Sequence, residues 1–300
     1  MFVKIVMRTF AVYLIPGLLL APGLMAADLA LSHSSYEKIK FSSMKKKGLF
    51  SKKFLTIDGY LLKAGTKGKS PAVVLSPACG GILHVFSGEI RPFYRDMANT
   101  LHKAGMTVLL VDGFTPRGFK QICRAGNSSG SLTNSDRAKD SLGALHYLQG
   151  RSDILRNKVF FIGYGATGGL RLLGKKPKGA SPGFAAGIFF YPKCSDIGFG
   201  YKPYAPVQIF VGDKDVWNPP RPCRKLAKRS GSSSAGVRLK VYPDTYHGFV
   251  QRLGPRPFHG HPRLGTVTIG GNPKSTADAY RITVEAPDVG RNHDRYPDKP

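Results

Sequence analysis

Acidic residues are scarce in this sequence: 18 Asp and Glu stand against 45 Lys and Arg among 300 residues, which gives a formal net charge of +27. The basic residues are scattered, with short clusters such as "KKK" at 45–47, and no zinc-finger, RRM or helix-turn-helix pattern is present. Specific nucleic-acid binding is therefore not expected. The charge leaves two interpretations, a solvated basic surface or a weak long-range attraction to anionic surfaces, and the scatter favours the first.

Cysteine is also sparse, and none of the four cysteines belongs to a CxxC pair, so a zinc site is not expected. The two histidines of "FHGHP", His259 and His261, have no third ligand nearby in sequence, and the chain carries no cofactor motif. We therefore predict neither a metal nor a cofactor. An oxidising compartment would favour disulfides, but four cysteines allow three pairings and their positions alone select none: Cys79, Cys123, Cys194 and Cys223.

Long apolar runs are confined to the N-terminus. Lys4 and Arg8 precede an apolar stretch over 9–25, and small residues end it at Ala27, which is the three-part layout of a secretory signal peptide. We predict a signal peptide over 1–27 and an exported protein, periplasmic or secreted. Met25 stands where the cleavage site prefers a small residue, so an uncleaved anchor is the alternative.

The rest of the chain is predicted to form one α/β domain over 48–286, after a basic, loosely ordered lead at 28–47 and before a polar tail at 287–300. Apolar strands alternate with helical segments, which favours a mostly parallel sheet with helices on both faces. "LFSKKFLTIDGYLLKAG" is interpreted as two short strands around an Asp58-Gly59 hairpin turn. Asn134 or Ser135 is predicted to cap the helix in "DRAKDSLGALHYLQG".

Three of the predicted strands end in residues that could carry chemistry. "VFFIGYGATGG" runs a strand into a glycine turn at Gly165, "VGDKDVWNPP" ends a strand at Asp215, and "VYPDTYHGF" leads a strand to His247. The order nucleophile position, acid, histidine is that of a hydrolase triad, in which the acid orients the imidazole and the imidazole takes the proton of the nucleophile. Each of the three signals is weak when taken alone.

Several motifs together carry a resemblance to a known family. "PAVVLSPACGGI", "VLLVDGFTPRG", "GYGATGG", "FYPKC", "FVGDKDVWNPPRPC" and "YPDTYHGF" lie in an order and spacing similar to those of the dienelactone hydrolase family, specifically its exported branch. The resemblance covers roughly 55–249. It implies a single α/β-hydrolase domain that hydrolyses a small ester or lactone, with Asp215 as the acid and His247 as the base.

The same resemblance implies further roles. It makes the backbone amides of Ala166 and of the "SPACGG" loop, at Ala78 and Cys79, the oxyanion-hole donors. It also implies the disulfide pairs Cys79 with Cys123 and Cys194 with Cys223. A free Cys79 would contradict this pairing.

The departures from the family concern the nucleophile. The family expects Ser or Cys where this chain has Gly165, and glycine has no attacking atom. Thr167, in a shifted G-x-T-x-G, and Cys79 are weaker substitutes, and a water activated by His247 is a third. We therefore expect an impaired ester or lactone hydrolase. The alternative is a non-catalytic protein that binds a ligand or an anionic partner. The sequence leaves the substrate and the oligomeric state open.

Overall fold

The computed structural model describes residues 35–43, 54–123, 132–165, 168–176, 182–230 and 235–285. The predicted signal peptide and polar tail, as well as Ala166 and Thr167, lie outside these residues. Within them, no helix is both long enough and apolar enough to cross a membrane.

Eight strands form the central sheet, in the spatial order β1-β2-β4-β3-β5-β6-β7-β8. β1 and β2 are antiparallel to their neighbours, and the six strands β3 to β8 run parallel to one another. The predicted, mostly parallel sheet is therefore confirmed. Its strands are β1 (Glu37–Ser42), β2 (Thr56–Leu62), β3 (Ser70–Ser76), β4 (Thr107–Asp112), β5 (Ile154–Tyr164), β6 (Gly187–Phe190), β7 (Val207–Gly212) and β8 (Val237–Tyr242).

Helices cover both faces of this sheet, because its strands bury alternate residues on opposite sides. Ala72 and Val74 of β3 belong to one apolar cluster, and Val73 and Leu75 to the other. The first cluster includes residues of α2 (Asn134–Gln149), α3 (Gly169–Leu173) and α4 (Pro220–Arg229). The second includes residues of α1 (Pro92–Lys103) and α5 (Pro273–Glu285).

The predicted hairpin at Asp58-Gly59 is wrong, because both residues lie inside the single strand β2. Lys38 and Lys40 of β1 hold the Asp58 carboxylate, which is why an acidic residue is tolerated in a buried strand. Gly59 lies under apolar side chains, and a Cβ there would come within 2.8 Å of Leu109 Cδ1. The glycine therefore reflects close packing and not a turn.

The loosely ordered lead needs a similar correction, since its residues 37–42 form β1, which pairs with β2 along its full length. The cap of α2 is Thr133, whose hydroxyl accepts the Asp136 amide in a capping box, and neither Asn134 nor Ser135. The segment after Gly254 holds an antiparallel hairpin that the sequence analysis did not predict, formed by β9 (Arg256–His261) and β10 (Gly265–Ile269).

Candidate active site

The turn after β5 is the predicted position of the nucleophile. β5 ends at Tyr164, and Gly165 follows with φ +65°, a left-handed conformation that side chains rarely adopt. A Cβ built at Gly165 would meet Ala78 Cβ at 3.8 Å, which is ordinary van der Waals contact. The backbone therefore turns sharply here, and the space in front of it would accept a small side chain.

Asp215 and His247 lie together at the same edge of the sheet. The Asp215 side chain follows β7 and is buried, and its Oδ2 is 2.7 Å from His247 Nδ1. An ionised carboxylate has no proton to donate, so Nδ1 carries the hydrogen and Nε2 is left as the basic nitrogen. The other carboxylate oxygen accepts the Asn218 amide at 2.7 Å. The pairing of acid and histidine expected from the sequence is therefore present.

The two loops that carry this pair are joined to each other and to the residue after β10. The Lys214 amide donates to the Thr245 carbonyl at 3.1 Å, and the Thr245 amide donates to the Asp213 carboxylate at 3.2 Å. The carbonyl of His247 accepts the amide of Gly270 at 3.0 Å, which connects the histidine to the end of β10. These bonds fix the imidazole through its backbone as well as through Asp215.

Two aromatic rings enclose the imidazole. The Trp217 ring stacks on His247 at 5.0 Å, with 19° between the planes, and the Tyr191 ring meets it edge-on at 4.6 Å. Tyr191 has φ +43°, which is unusual for a large side chain, and its carbonyl accepts the Asn218 side-chain amide at 2.8 Å. Tyr191 and Asn218 were missed, because neither belongs to a motif that marks a site.

The β9–β10 hairpin completes this side of the site. His261 contacts the Trp217 ring at 4.7 Å and Phe258 contacts it at 5.1 Å. Burial lowers the pKa of His261, and the charges of His247 and Arg263 lower it further. No cluster of three or more metal-ligating side chains occurs in the described part of the chain.

The loop after β3, which contains the expected oxyanion donors, is held on several sides. The amide of Ala78 donates to Tyr94 Oη at 2.7 Å, so this amide is already engaged inside the protein. Burial raises the pKa of Tyr94 to about 12, which keeps that hydroxyl neutral at physiological pH. The buried guanidinium of Arg137 donates to the carbonyl of Pro77, the residue before Ala78. Of the two expected donors in this loop, the Ala78 amide therefore points to Tyr94, and Cys79 remains a candidate.

Both expected disulfides are present, Cys79 with Cys123 and Cys194 with Cys223. The first ties the loop after β3 to the segment after β4, where the Ile122 amide also donates to the Cys79 carbonyl at 2.8 Å. Cys79 is therefore not a free thiol and offers no alternative nucleophile. Two disulfides are typical of proteins that fold in an oxidising, exported environment.

Two charged residues that follow β4 or end it have structural roles. Arg117 pairs with Asp140 at 2.7 Å. Asp112 accepts the amides of Phe114 and Thr115 at 3.1 and 3.0 Å, which begins the turn after β4.

The strand order, the sharp turn after β5 and the acid–histidine pair after β7 and β8 define the α/β-hydrolase class of fold. A model of the dienelactone hydrolase family matches residues 57–286. Because this match spans most of the chain, the protein belongs to the dienelactone hydrolase family.

Individual relatives agree with this assignment. A Bradyrhizobium sp. protein named "Probable 2-oxo-3-(5-oxofuran-2-ylidene)propanoate lactonase" is 27% identical over 209 residues, which are 65% of this chain and 79% of the relative. A dienelactone hydrolase-like promiscuous phosphotriesterase from metagenomic libraries superposes with a TM-score of 0.59 at 15% identity, covering 85% of this chain and 98% of that one. Esterase 2 of Thermogutta terrifontis gives 0.58 at 14% identity, with 86% and 96% covered. At these identities the two structures support the fold alone.

Proposed function

We propose that this protein is an exported ester or lactone hydrolase of the dienelactone hydrolase family whose activity is impaired because Gly165 occupies the nucleophile position. The observation that carries the proposal is the φ of +65° at Gly165, directly after the last residue of β5. A nucleophile turn requires this left-handed conformation, and glycine adopts it while offering no attacking atom, which supports the proposal. Export is proposed from the sequence of 1–27 together with the two disulfides.

The chemistry left to such a site is hydrolysis by water. With no acyl-enzyme route, the basic Nε2 of His247 would take a proton from a water molecule as the water attacks the carbonyl carbon. Asp215 would stabilise the imidazolium that forms. Backbone amides at Ala166 and Cys79 would stabilise the developing oxyanion. We expect this route to be slower by several orders of magnitude than a route with a nucleophile, because removing the nucleophile of a triad has effects of that size.

The enclosure of His247 supports a role for the imidazole in chemistry. Its side chain is only 11% exposed, and Asp215, Trp217 and Tyr191 all contact it. A group restricted in this way has one productive orientation, which general base catalysis requires. The register with Gly165 at the tip is supported by the end of β5 at Tyr164, whereas a tip at Thr167 would need a longer strand.

A second function is favoured by one specific observation. The Ala78 amide is engaged by Tyr94 Oη, so this expected oxyanion donor is not available in addition to the missing nucleophile. A site that lacks both a nucleophile and this donor suits a protein that binds a ligand in the cleft and does not hydrolyse it. Small esters and lactones remain the candidate ligands under both proposals.

One assay separates the two functions. The wild type, His247→Ala, Gly165→Ser and Gly165→Cys are compared for turnover of a short-chain aryl ester and a lactone. Slow wild-type turnover that is lost in His247→Ala supports the impaired hydrolase, with Gly165→Ser faster by about 100-fold or more. Activity that occurs only in Gly165→Ser or Gly165→Cys supports the binding protein. Wild-type activity that survives His247→Ala and is lost in Thr167→Val contradicts the proposed register.

A further inference from the structure

A second concave surface lies between the 3-10 turn Cys194–Asp196 and α4, and none of its residues belongs to the Asp215–His247 site. We call it the α4 groove. It encloses about 400 Å³ and is lined by Arg221, Lys225, Arg229, Ile197 and Phe199 together with the Cys194 side of the disulfide. A volume of this size is in the range of pockets that bind small molecules.

The three basic residues of the α4 groove recur every fourth residue along α4, from 221 to 225 to 229. Residues four apart lie on the same side of a helix, so the three side chains project toward the same groove. The disulfide to Cys223 ties this helix to the turn opposite it, which keeps the two walls together. The cationic groups are therefore held on one rigid wall.

Arg229 is held in place at the α4 groove by two contacts. One terminal nitrogen donates to the Ile197 carbonyl at 2.7 Å, and the guanidinium lies 5.1 Å from the centre of the Phe199 ring. The Ile197 carbonyl and the Phe199 ring therefore hold the Arg229 charge at the wall of the α4 groove.

The positive charge of the α4 groove is not neutralised by a carboxylate. In the described part of the chain, Arg221, Lys225 and Arg229 form no salt bridge, and the nearby Asp196 is paired with Lys193 at 2.8 Å. The lining also contains Phe199, a large aromatic residue that is 92% exposed. Three cations beside an exposed ring suit a ligand that has a multiply charged anionic end and an apolar body.

We propose that the α4 groove is a binding site for a phosphate monoester with an apolar or aryl body. Phosphate is favoured over a carboxylate because three cations match a dianion better than a single negative charge, and the guanidinium fork of Arg221 fits its oxygens. The phosphate end lies between Arg221, Lys225 and Arg229, and the apolar body packs on Phe199. The site is independent of the hydrolase function proposed above.

The test uses the full chain and phenyl phosphate, with binding measured by isothermal titration calorimetry at low ionic strength. The double variant Arg221→Gln/Lys225→Gln is compared with Arg224→Gln/Lys228→Gln, which removes the same charge from exposed residues of the same helix outside the α4 groove. We expect the first pair to weaken binding about 10-fold or more and the second pair less than about 2-fold. Phe199→Ala should weaken phenyl phosphate binding and leave inorganic phosphate unchanged.

Several results would overturn the proposal. Equal losses in the two double variants would mean a general effect of net charge, and absence of phenyl phosphate binding by the wild type would remove the site altogether. Melting temperatures equal to that of the wild type show that the variants are folded, and since the substitutions replace surface residues we expect this. His247→Ala should bind phenyl phosphate as the wild type does, so a failure of the hydrolase proposal leaves this test intact.

A further comparison separates the two sources of such a phosphate. Vesicles of phosphatidylcholine with phosphatidic acid present a phosphate monoester on a lipid, whereas phenyl phosphate stands for a soluble ester. Vesicle binding lost in Arg221→Gln/Lys225→Gln and kept in Arg224→Gln/Lys228→Gln assigns the α4 groove to a lipid phosphate. Vesicle binding that is equal in the two variants, with phenyl phosphate binding lost in the first, assigns it to a soluble ester.

Discussion

The turn after β5 and the loops after β7 and β8 lie along one edge of the same sheet, but they differ in the backbone conformation and the side chains that they place there. At Gly165 the backbone takes a left-handed turn with φ +65°, and glycine places no side chain there. At Asp215 and His247 the side chains are bonded to each other at 2.7 Å, with Trp217 and Tyr191 around them. The first region therefore has a sharp backbone turn without a polar side chain, and the second has an acidic and a basic side chain held in contact.

This difference shows that a catalytic turn has two separable requirements. Glycine satisfies the left-handed φ of the turn with less strain than any residue that could attack a carbonyl. Glycine at position 165 therefore carries less strain than a nucleophile would, whereas replacing Asp215 or His247 would leave a buried polar group without its partner. The turn after β5 therefore tolerates a change of residue more easily than the acid–histidine pair does.

The largest effect is expected from placing a hydroxyl at position 165. Gly165→Ser should make the protein react covalently with a fluorophosphonate probe, because Asp215 and His247 are already placed to activate a hydroxyl. Intact-mass spectrometry would record one added phosphonyl group on the variant and none on the wild type. Gly165→Ala is the matched control for the backbone change. Labelling of Gly165→Ser that is unaffected by adding His247→Ala would mean that the two regions do not form one site.

The disulfides brace the two regions separately. Cys79–Cys123 supports the loop beside Gly165, and Cys194–Cys223 supports the segment after β6 and the start of α4. Replacing either pair by alanines should lower the free energy of unfolding by about 3–4 kcal/mol, from loops of 44 and 29 residues. Urea unfolding of the two double variants measures this. An unchanged midpoint for either pair would contradict the bracing role of that disulfide.

Two glycines should respond differently to alanine. A Cβ at Gly212 would overlap the backbone carbonyl of Thr245, in the loop that carries His247, whereas a Cβ at Gly165 has free space. We expect Gly212→Ala to cost about 3 kcal/mol through overpacking and Gly165→Ala about 1 kcal/mol through its φ. Chemical unfolding compares them directly. Equal costs would contradict the close backbone approach of Gly212 to the loop that carries His247.

The smallest effect concerns the support behind β8. Burial raises the pKa of Asp278, but hydrogen bonds from Lys240, Arg281 and Tyr242 outweigh it and hold the pKa at about 2. A carboxylate with a lowered folded-state pKa contributes stability above its unfolded pKa of about 3.9, and this is lost as the pH falls toward 2. Asp278→Asn should therefore destabilise the protein at pH 7 by less than about 1 kcal/mol, since the pairs are partly exposed. At pH 2 the difference from the wild type should shrink, and a difference that stays constant with pH would contradict the ionic contribution.

The parallel part of the sheet could be predicted from the sequence because its strands are continuous apolar runs. β4, for example, is buried at all six of its positions. The antiparallel edge of the sheet, formed by β1 and β2, was harder to predict. Asp58 and Gly59 have the composition of a turn, and their true environment depends on Lys38, Lys40 and Leu109, which are distant in sequence. The β9–β10 hairpin was missed because its Gly, Pro, His and Arg residues hide the alternation typical of strands.

The residues of the candidate site also fall into those that the sequence predicts and those that it does not. Asp215 and His247 could be found because each follows a strand within a recognisable motif, and the structure places them in contact. Tyr191 and Asn218 could not, since a tyrosine after a strand carries no signal of its backbone conformation or of the ring it will contact. The partner of the Ala78 amide was equally hidden, because Tyr94 lies on a helix 16 residues away.

Trp217 also has a practical consequence. It is the one tryptophan of the sequence, and its ring stacks on the imidazole of His247. All of the indole fluorescence therefore comes from a single position, in contact with the group that would change its charge during the reaction. A protonated imidazole quenches indole emission more strongly than a neutral one does. The protein thus carries an optical probe of the charge on His247 that needs no label and reports on the site whether or not any substrate is turned over.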